Sequence, residues 1–154
     1  MIILDLDNTI ADDAWRIPRI NWQMQDPARR YHDYHLLAAF DEPGNIDLFT
    51  GRTDIIVLTA RPCSYGAITV EWLMRNGVQC KHLLMRNDSD HNHSSALKEQ
   101  QLVWLRDLYD IPWSEIEMAY DDRQEVVDMY LRNGIPAQRR CIHDVCAYTK
   151  PEKK

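Results

Sequence analysis

Three apolar residues, Ile2-Ile3-Leu4, run straight into Asp5-Leu6-Asp7-Asn8-Thr9. No other stretch limits so tightly what this chain can fold into. A short unbroken apolar run suits a strand buried on both faces, the setting of a parallel sheet covered by helices. In such sheets ligands gather beyond the carboxyl ends of the strands. Asp5 and Asp7 fall at that end, and because side chains alternate along a strand, the two carboxylates project the same way while Asn8 turns the chain. Taken alone, the pair also suits a turn or a cap, where Asp is common. The rest of the chain decides.

Residues 10–54 separate this strand from the next and are broken by Pro18, Pro27 and Pro43, so that roughly 11–53 reads as a small helical, cap-like insertion. Asp26-Pro27 has the form of an N-cap followed by proline at the first helical position and predicts a helix over 27–40. Tyr31, Tyr34, His35 and Ala38 share one face of it. That face is expected to pack in the core, the other reading being that Tyr34 or its neighbours line a substrate entrance. Asp41-Glu42-Pro43-Gly44-Asn45 reads as a turn.

Residues 55–58 form a second strand, ending in Thr59-Ala60-Arg61-Pro62. A helix over 64–76 follows, with Ala67, Val70, Leu73 and Met74 on its buried face and Gly77 at its C-cap. A third strand is expected over 81–85. Ser94 or Ser95 caps a helix running to about Tyr109, with Lys98 in its first turn. A cation there opposes the helix dipole, which points to a role other than helix stability. Residues 116–120 give a fourth strand that ends in Asp121-Asp122-Arg123, then a helix burying Val126, Val127, Tyr130 and Leu131 and ending at Asn133-Gly134. Residues 139–145 supply a fifth strand, and 151–154 a charged, frayed tail. Strands alternating with helices make this an α/β chain, a doubly wound, mainly parallel sheet of about five strands with the insertion after the first.

At 154 residues the chain is expected to be a single domain over 1–154 and a monomer. No apolar run approaches the length of a membrane span, so no membrane partner is expected. Met1 leads directly into the first strand, leaving no room for a secretory signal, and a cytoplasmic location follows. Cys63, Cys80, Cys141 and Cys146 lack metal-binding spacing and read as reduced packing residues. His91 and His93 sit in a polar stretch that reads as a solvated loop. The formal charge of −6 disfavours an indiscriminate duplex-DNA binder but leaves room for a local basic pocket.

Asp5, Asp7, Thr59, Lys98, Asp121 and Asp122 thus collect at one edge of the sheet. Carboxylates converging there need a proton or a cation between them, and an all-oxygen donor set suits Mg²⁺ better than zinc. Which of Asp121 and Asp122 ligates directly stays open.

Asp5-Leu6-Asp7-Asn8-Thr9, Thr59, Lys98 and Asp121-Asp122, in this order over most of the chain, closely resemble the four motifs of the haloacid dehalogenase (HAD) phosphatase superfamily. The resemblance narrows to the phosphatase module of phage polynucleotide kinase-phosphatases. It rests on Ala11-Asp12-Asp13-Ala14-Trp15-Arg16, Leu58-Thr59-Ala60-Arg61-Pro62, Leu83-Leu84-Met85-Arg86 and Tyr120-Asp121-Asp122-Arg123. Two departures stand out. No G-x-x-x-x-G-K-[ST] occurs, so no fused kinase domain is expected, and acidic residues that such modules often carry before the motif lysine correspond here to Ser94 and Ser95.

The resemblance implies a Rossmann-like fold and a Mg²⁺-dependent phosphomonoesterase acting on a nucleotide or nucleic-acid terminus, most readily at a 3′-phosphate. Asp5 is the implied nucleophile and forms an aspartyl-phosphate. Asp7 is the general acid and then the base, and Thr59 and Lys98 hold the phosphoryl oxygens, Lys98 also neutralising Asp5. Mg²⁺ is held by Asp5, the Asp7 backbone carbonyl and the Asp121-Asp122 pair. Arg16 and Arg61 are implied to serve the substrate phosphate, a surface salt bridge being the other reading. Arg86 and Arg123 are further substrate-binding candidates that local capping or pairing would equally explain. A phosphatase for mononucleotides or other small metabolites is the competing enzyme, and a phospho-accepting or binding module on the same fold the non-enzymatic alternative. A dehalogenase is disfavoured, because halide leaves without a proton and Asp7 would have no task.

Overall fold

The computed structural model describes residues 1–144. Its strands are β1 (Ile2–Leu4), β2 (Ala11–Asp12), β3 (Glu42–Pro43), β4 (Ile55–Pro62), β5 (Cys80–Arg86), β6 (Met118–Asp121) and β7 (Ala137–Arg139). Its α-helices are α1 (Pro27–Arg30), α2 (His32–Leu36), α3 (Gly66–Arg75), α4 (Ser94–Leu108) and α5 (Gln124–Arg132). Five strands form a parallel sheet in the order β5-β4-β1-β6-β7, the doubly wound arrangement expected. The strand order reverses on either side of β1, where α/β sheets open a crevice.

The apolar run of β1 splits between two cores because successive side chains point to opposite faces. Ile3 joins Ile56, Leu58, Leu102, Leu105, Val126 and Met129 on the face covered by α4 and α5. Ile2 and Leu4 join Ile55, Val57, Trp72 and Leu73 on the α3 face. Each such fully buried aliphatic side chain contributes about 1.5–3 kcal/mol, and the two cores together fix the sheet's height and thus its carboxyl edge.

The insertion is closed at its base by the antiparallel pair β2-β3, with Ala11 opposite Pro43 and Asp12 opposite Glu42. The helix expected over 27–40 is broken into α1, α2 and a 3₁₀ turn, Leu37–Phe40. Asp26 caps α1 as expected, but the Arg30 carbonyl accepts from the Asn21 amide at 2.9 Å, so the ladder is interrupted at Tyr31. The buried face does include Tyr34, His35 and Ala38.

The helix after β4 presents a different face from the one expected. Thr69, Trp72 and Leu73 are buried, whereas Val70 and Met74 are exposed. Trp72 sets the rotation, since its indole is fully buried and donates to the Asp41 carbonyl at 2.8 Å, fixing α3 to the insertion. In α5 Met129 is buried in place of the exposed Leu131. The last strand lies at 137–139 rather than 139–145, because Arg140 donates to the Asp121 carbonyl and Ile142 to the Asn8 carbonyl, which draws the chain across the sheet's carboxyl edge. Val145, Cys146 and the expected tail lie outside the described residues. Cys63 is exposed rather than packed, Cys80 and Cys141 are half-buried, and none of these three is disulfide-bonded. Among the described residues no helix is long and apolar enough to cross a membrane.

Candidate active site

The turn after β1 is tight. The Leu6 carbonyl accepts the amides of Thr9, Ile10 and Ala11 at 3.1, 2.9 and 2.9 Å, and Asn8 takes a left-handed φ of 61° that asparagine tolerates better than most residues. The Asp5 amide extends the ladder to the Tyr120 carbonyl at 3.1 Å. Its Oδ2 accepts from Thr9 Oγ1 at 2.9 Å, and its Oδ1 from Lys98 Nζ at 2.7 Å. Lys98 also donates to Asp121 Oδ2 at 2.5 Å. Burial alone would lower the lysine's pKa, but Asp121 and Asp5 carry it well above its ordinary value.

Asp5, Asp121 and Asp122 each offer an oxygen, all within 4.8 Å of one another and buried. Burial, together with the charge of Asp5, raises the Asp121 pKa to about 6. Burial and the charges of Asp5 and Asp121 push Asp122 up to about 9. This all-oxygen set, with more negative charge than Lys98 offsets, fits a hard divalent cation such as Mg²⁺. Asn8 Nδ2 reaches Asp122 Oδ2 at 3.1 Å and the His143 carbonyl at 2.8 Å, tying the two acidic loops together.

The Asp7 carboxylate lies outside this group and turns toward the insertion. Arg61 donates to it through Nε at 3.1 Å and Nη2 at 2.6 Å, and Arg16 through Nη2. Burial raises the Asp7 pKa, but the two guanidiniums, Arg61 foremost, outweigh it and hold the carboxyl well below the usual range. Both arginines are fully buried. Behind them stands Asp41, which accepts from Arg16 Nη2 at 2.7 Å on Oδ2 and from Arg16 Nε and Trp15 Nε1, each at 2.9 Å, on Oδ1. Arg16 is also held by the Tyr34 carbonyl at 2.9 Å, its guanidinium 4.2 Å from the centre of the Tyr34 ring.

Asp41 was read from the sequence as a turn residue, and Asp13 carried no separate signal. Asp13 is buried and accepts from the Tyr34 hydroxyl at 2.6 Å, while burial and the charge of Asp7 raise its pKa to about 7. Only the helical spacing of Tyr34 pointed toward this network. Thr59 is buried, and its hydroxyl accepts from the Arg61 amide at 3.1 Å. Arg86 and Arg123 line a cavity of about 470 Å³ together with Tyr31, His35 and Tyr65. Arg16 and Arg61 do not line it.

The family model of the phosphatase domain of polynucleotide kinase PNKP, of the HAD type, matches residues 1–139. The chain belongs to this family. It is a phosphatase. Two solved structures of a Pnkp1/Rnl/Hen1 complex, one described as an RNA repair complex, are similar to it at 22% and 23% identity with a TM-score of 0.62 in each case. They align over 92% and 90% of this chain but 43% and 44% of theirs, so the phosphatase spans less than half the length of either. A hydrolase from Streptococcus pneumoniae TIGR4 is similar at 12% identity and a TM-score of 0.55, over 89% of this chain and 90% of its own. At these identities the likeness shows the fold. The comparison with curated proteins finds no match.

Proposed function

We propose that this phosphatase is a Mg²⁺-dependent phosphomonoesterase that works through an aspartyl-phosphate and removes a 3′-phosphate from a nucleic-acid end or a nucleotide. One observation carries the reading: Asp5, Asp121 and Asp122 converge within 4.8 Å at the carboxyl edge of the sheet while Lys98 bridges Asp5 and Asp121. Residues 1–154 act as one catalytic unit, with the insertion as its cap. The nucleic-acid substrate rests on the family and on the Pnkp1 neighbour's place in an RNA repair complex.

Lys98 and Thr9 hold the two Asp5 oxygens and keep the carboxylate aimed. Asp5 attacks phosphorus in line, forming the acyl-phosphate bond as the ester P–O bond breaks. The departing alkoxide takes a proton from Asp7. Water then attacks phosphorus, Asp7 takes its proton, and Asp5 and inorganic phosphate are released. In the described arrangement Arg16 and Arg61 hold Asp7 as a carboxylate, the form the second step needs. For the first step Asp7 takes up a proton, a form that a phosphate dianion beside it favours, and the buried Arg16 and Arg61 serve the phosphate through Asp7 rather than by direct contact. General acid help of this kind is worth about 10²–10⁴-fold. Mg²⁺ held by Asp5, Asp121 and Asp122 supplies charge neutralisation at the transferring phosphoryl group.

The test is phosphate release with Mg²⁺ from 3′- and 5′-mononucleotides and from oligonucleotides bearing a 3′- or 5′-phosphate, with Asp5→Asn as blank. Preference for 3′-phosphates is expected. Turnover of a generic aryl phosphate with none of the nucleotides cleaved would discard the nucleic-acid reading.

A further inference from the structure

We infer that the cavity beside the carboxylates is a slot for the nucleobase of the nucleotide that bears the phosphate, with the base stacked on a wall of Tyr31, His35 and Tyr65. This rests on the proposed nucleotide or nucleic-acid substrate and names how it is gripped.

Chain neighbours of the site line the cavity. Ala60 lies between Thr59 and Arg61, Ser94 one helical turn before Lys98, and Arg123 directly after Asp122, and all three line it. Its volume of about 470 Å³ falls within the range of small-molecule sites, about 300–1,000 Å³. The wall is continuous. His35 and Tyr65 have ring centres 5.1 Å apart and planes inclined at 38°, and Tyr31 lies 6.1 Å from His35. Tyr65 is pinned by its hydroxyl, 2.7 Å from His32 Nδ1.

The opposite side argues against a second phosphate as the occupant. Arg86 is held by the carbonyls of Ala60, Asp90 and Asn92 at 3.0, 3.1 and 2.7 Å, and Arg123 by Glu125 at 2.8 Å. Asp88 and Asp90 also line the cavity, as does Arg30, which is held by the Met24 and Gln25 carbonyls at 2.9 and 3.1 Å, so its guanidiniums are already engaged within the protein. What remains is an aromatic surface framed by polar groups, on whose rings a single base can stack with little regard to sequence. A base in this slot has left its own stack, so the phosphate-bearing nucleotide enters unpaired.

The experiment compares wild-type protein with Tyr65→Ala and Tyr65→Phe on four substrates: a nucleoside 3′-phosphate, an oligonucleotide with a 3′-phosphorylated terminal residue, the same oligonucleotide lacking that residue's base, and β-glycerophosphate. For the wild type the baseless end is expected to have a KM about 10-fold above that of the same oligonucleotide with its base. Tyr65→Ala is expected to lower the preference for the nucleoside 3′-phosphate over β-glycerophosphate by about 10-fold, through KM, and Tyr65→Phe to keep it. Equal KM values for the ends with and without a base overturn the slot while leaving the nucleotide reading intact, and this arm needs no variant to fold. An equal loss on both small substrates in Tyr65→Ala also overturns it. Cleavage of β-glycerophosphate with no cleavage of any nucleotide or oligonucleotide overturns the nucleotide reading, and the slot with it.

Discussion

Asp41→Asn isolates the carboxylate that stands behind the two buried arginines. Arg16 and Arg61 are fully buried, and two carboxylates, Asp7 and Asp41, balance them. The substitution keeps the shape and one acceptor oxygen, so Arg16 Nε and Trp15 Nε1 can retain their bonds to Oδ1. It removes the negative charge and the acceptor 2.7 Å from Arg16 Nη2, leaving one buried positive charge without a counterpart. Breaking a buried pair by removing one partner costs about 3–5 kcal/mol. The acceptor that Asn keeps reduces this to about 2–4 kcal/mol. With a urea m-value of about 2 kcal/mol per M for a chain of this size, the midpoint of unfolding followed by far-UV circular dichroism should fall by about 1–2 M. Asp107→Asn, which breaks the exposed Arg106–Asp107 pair, should leave the midpoint unchanged. An Asp41→Asn midpoint within about 0.3 M of wild type would refute the view that Asp41 neutralises this buried pair.

Asp5→Asn should bring phosphate release below detection without altering the far-UV spectrum, and retained turnover would sink the nucleophile assignment. Mg²⁺ at about 100 times its Kd should stabilise the protein by about 2.7 kcal/mol, a rise in Tm of about 5–10 °C in a thermal scan. Asp122→Asn should shrink that rise, and an undiminished rise would place the ion elsewhere. His35 concerns acid stability. Burial holds its pKa at about 3 against an ordinary 6.5, so below about pH 6.5 the unfolded chain takes up a proton that the fold refuses, and stability falls with pH. At pH 5 this group alone should cost about 2 kcal/mol relative to pH 7.5. His35→Gln should therefore lose less stability between those two pH values in urea titrations. An equal loss would show that the imidazole is not held neutral.

The strand ends were legible because a buried parallel strand writes itself as an apolar run, and a polar residue interrupting it marks the edge. That is how Asp5, Thr59 and Asp121 were found. Asp7, Arg16 and Arg61 were each marked in the sequence, but their pairing with one another and with Asp41 was not legible, because the partners are far apart in sequence and Asp41 carries the same letter as an ordinary turn. Asp41 is 0% exposed as a side chain yet sits among turn formers, and its partners Arg16, Trp15 and the Trp72 indole distinguish it. The face of α3 was misjudged for a related reason. Val70 and Met74 satisfy helical periodicity, but the partner that decides the rotation is a carbonyl of the insertion. The expected fifth strand was displaced by Asn8, whose backbone and side chain take up residues 142 and 143.

The central position of β1 has a consequence for how such a molecule is assembled. Ile2 faces Ile55 on one side and Met118 on the other, so the strand carrying the proposed nucleophile has no neighbour from its own vicinity. A fragment ending before β6 would leave β1 as an unprotected edge and lack two of the three convergent carboxylates. Such long-range pairings form slowly, since loop closure must precede any return from contact. Of the five strands, the one synthesised earliest waits for the fourth, β6, to gain its second neighbour, so a growing chain lacks the convergent carboxylates until most of the sheet has emerged.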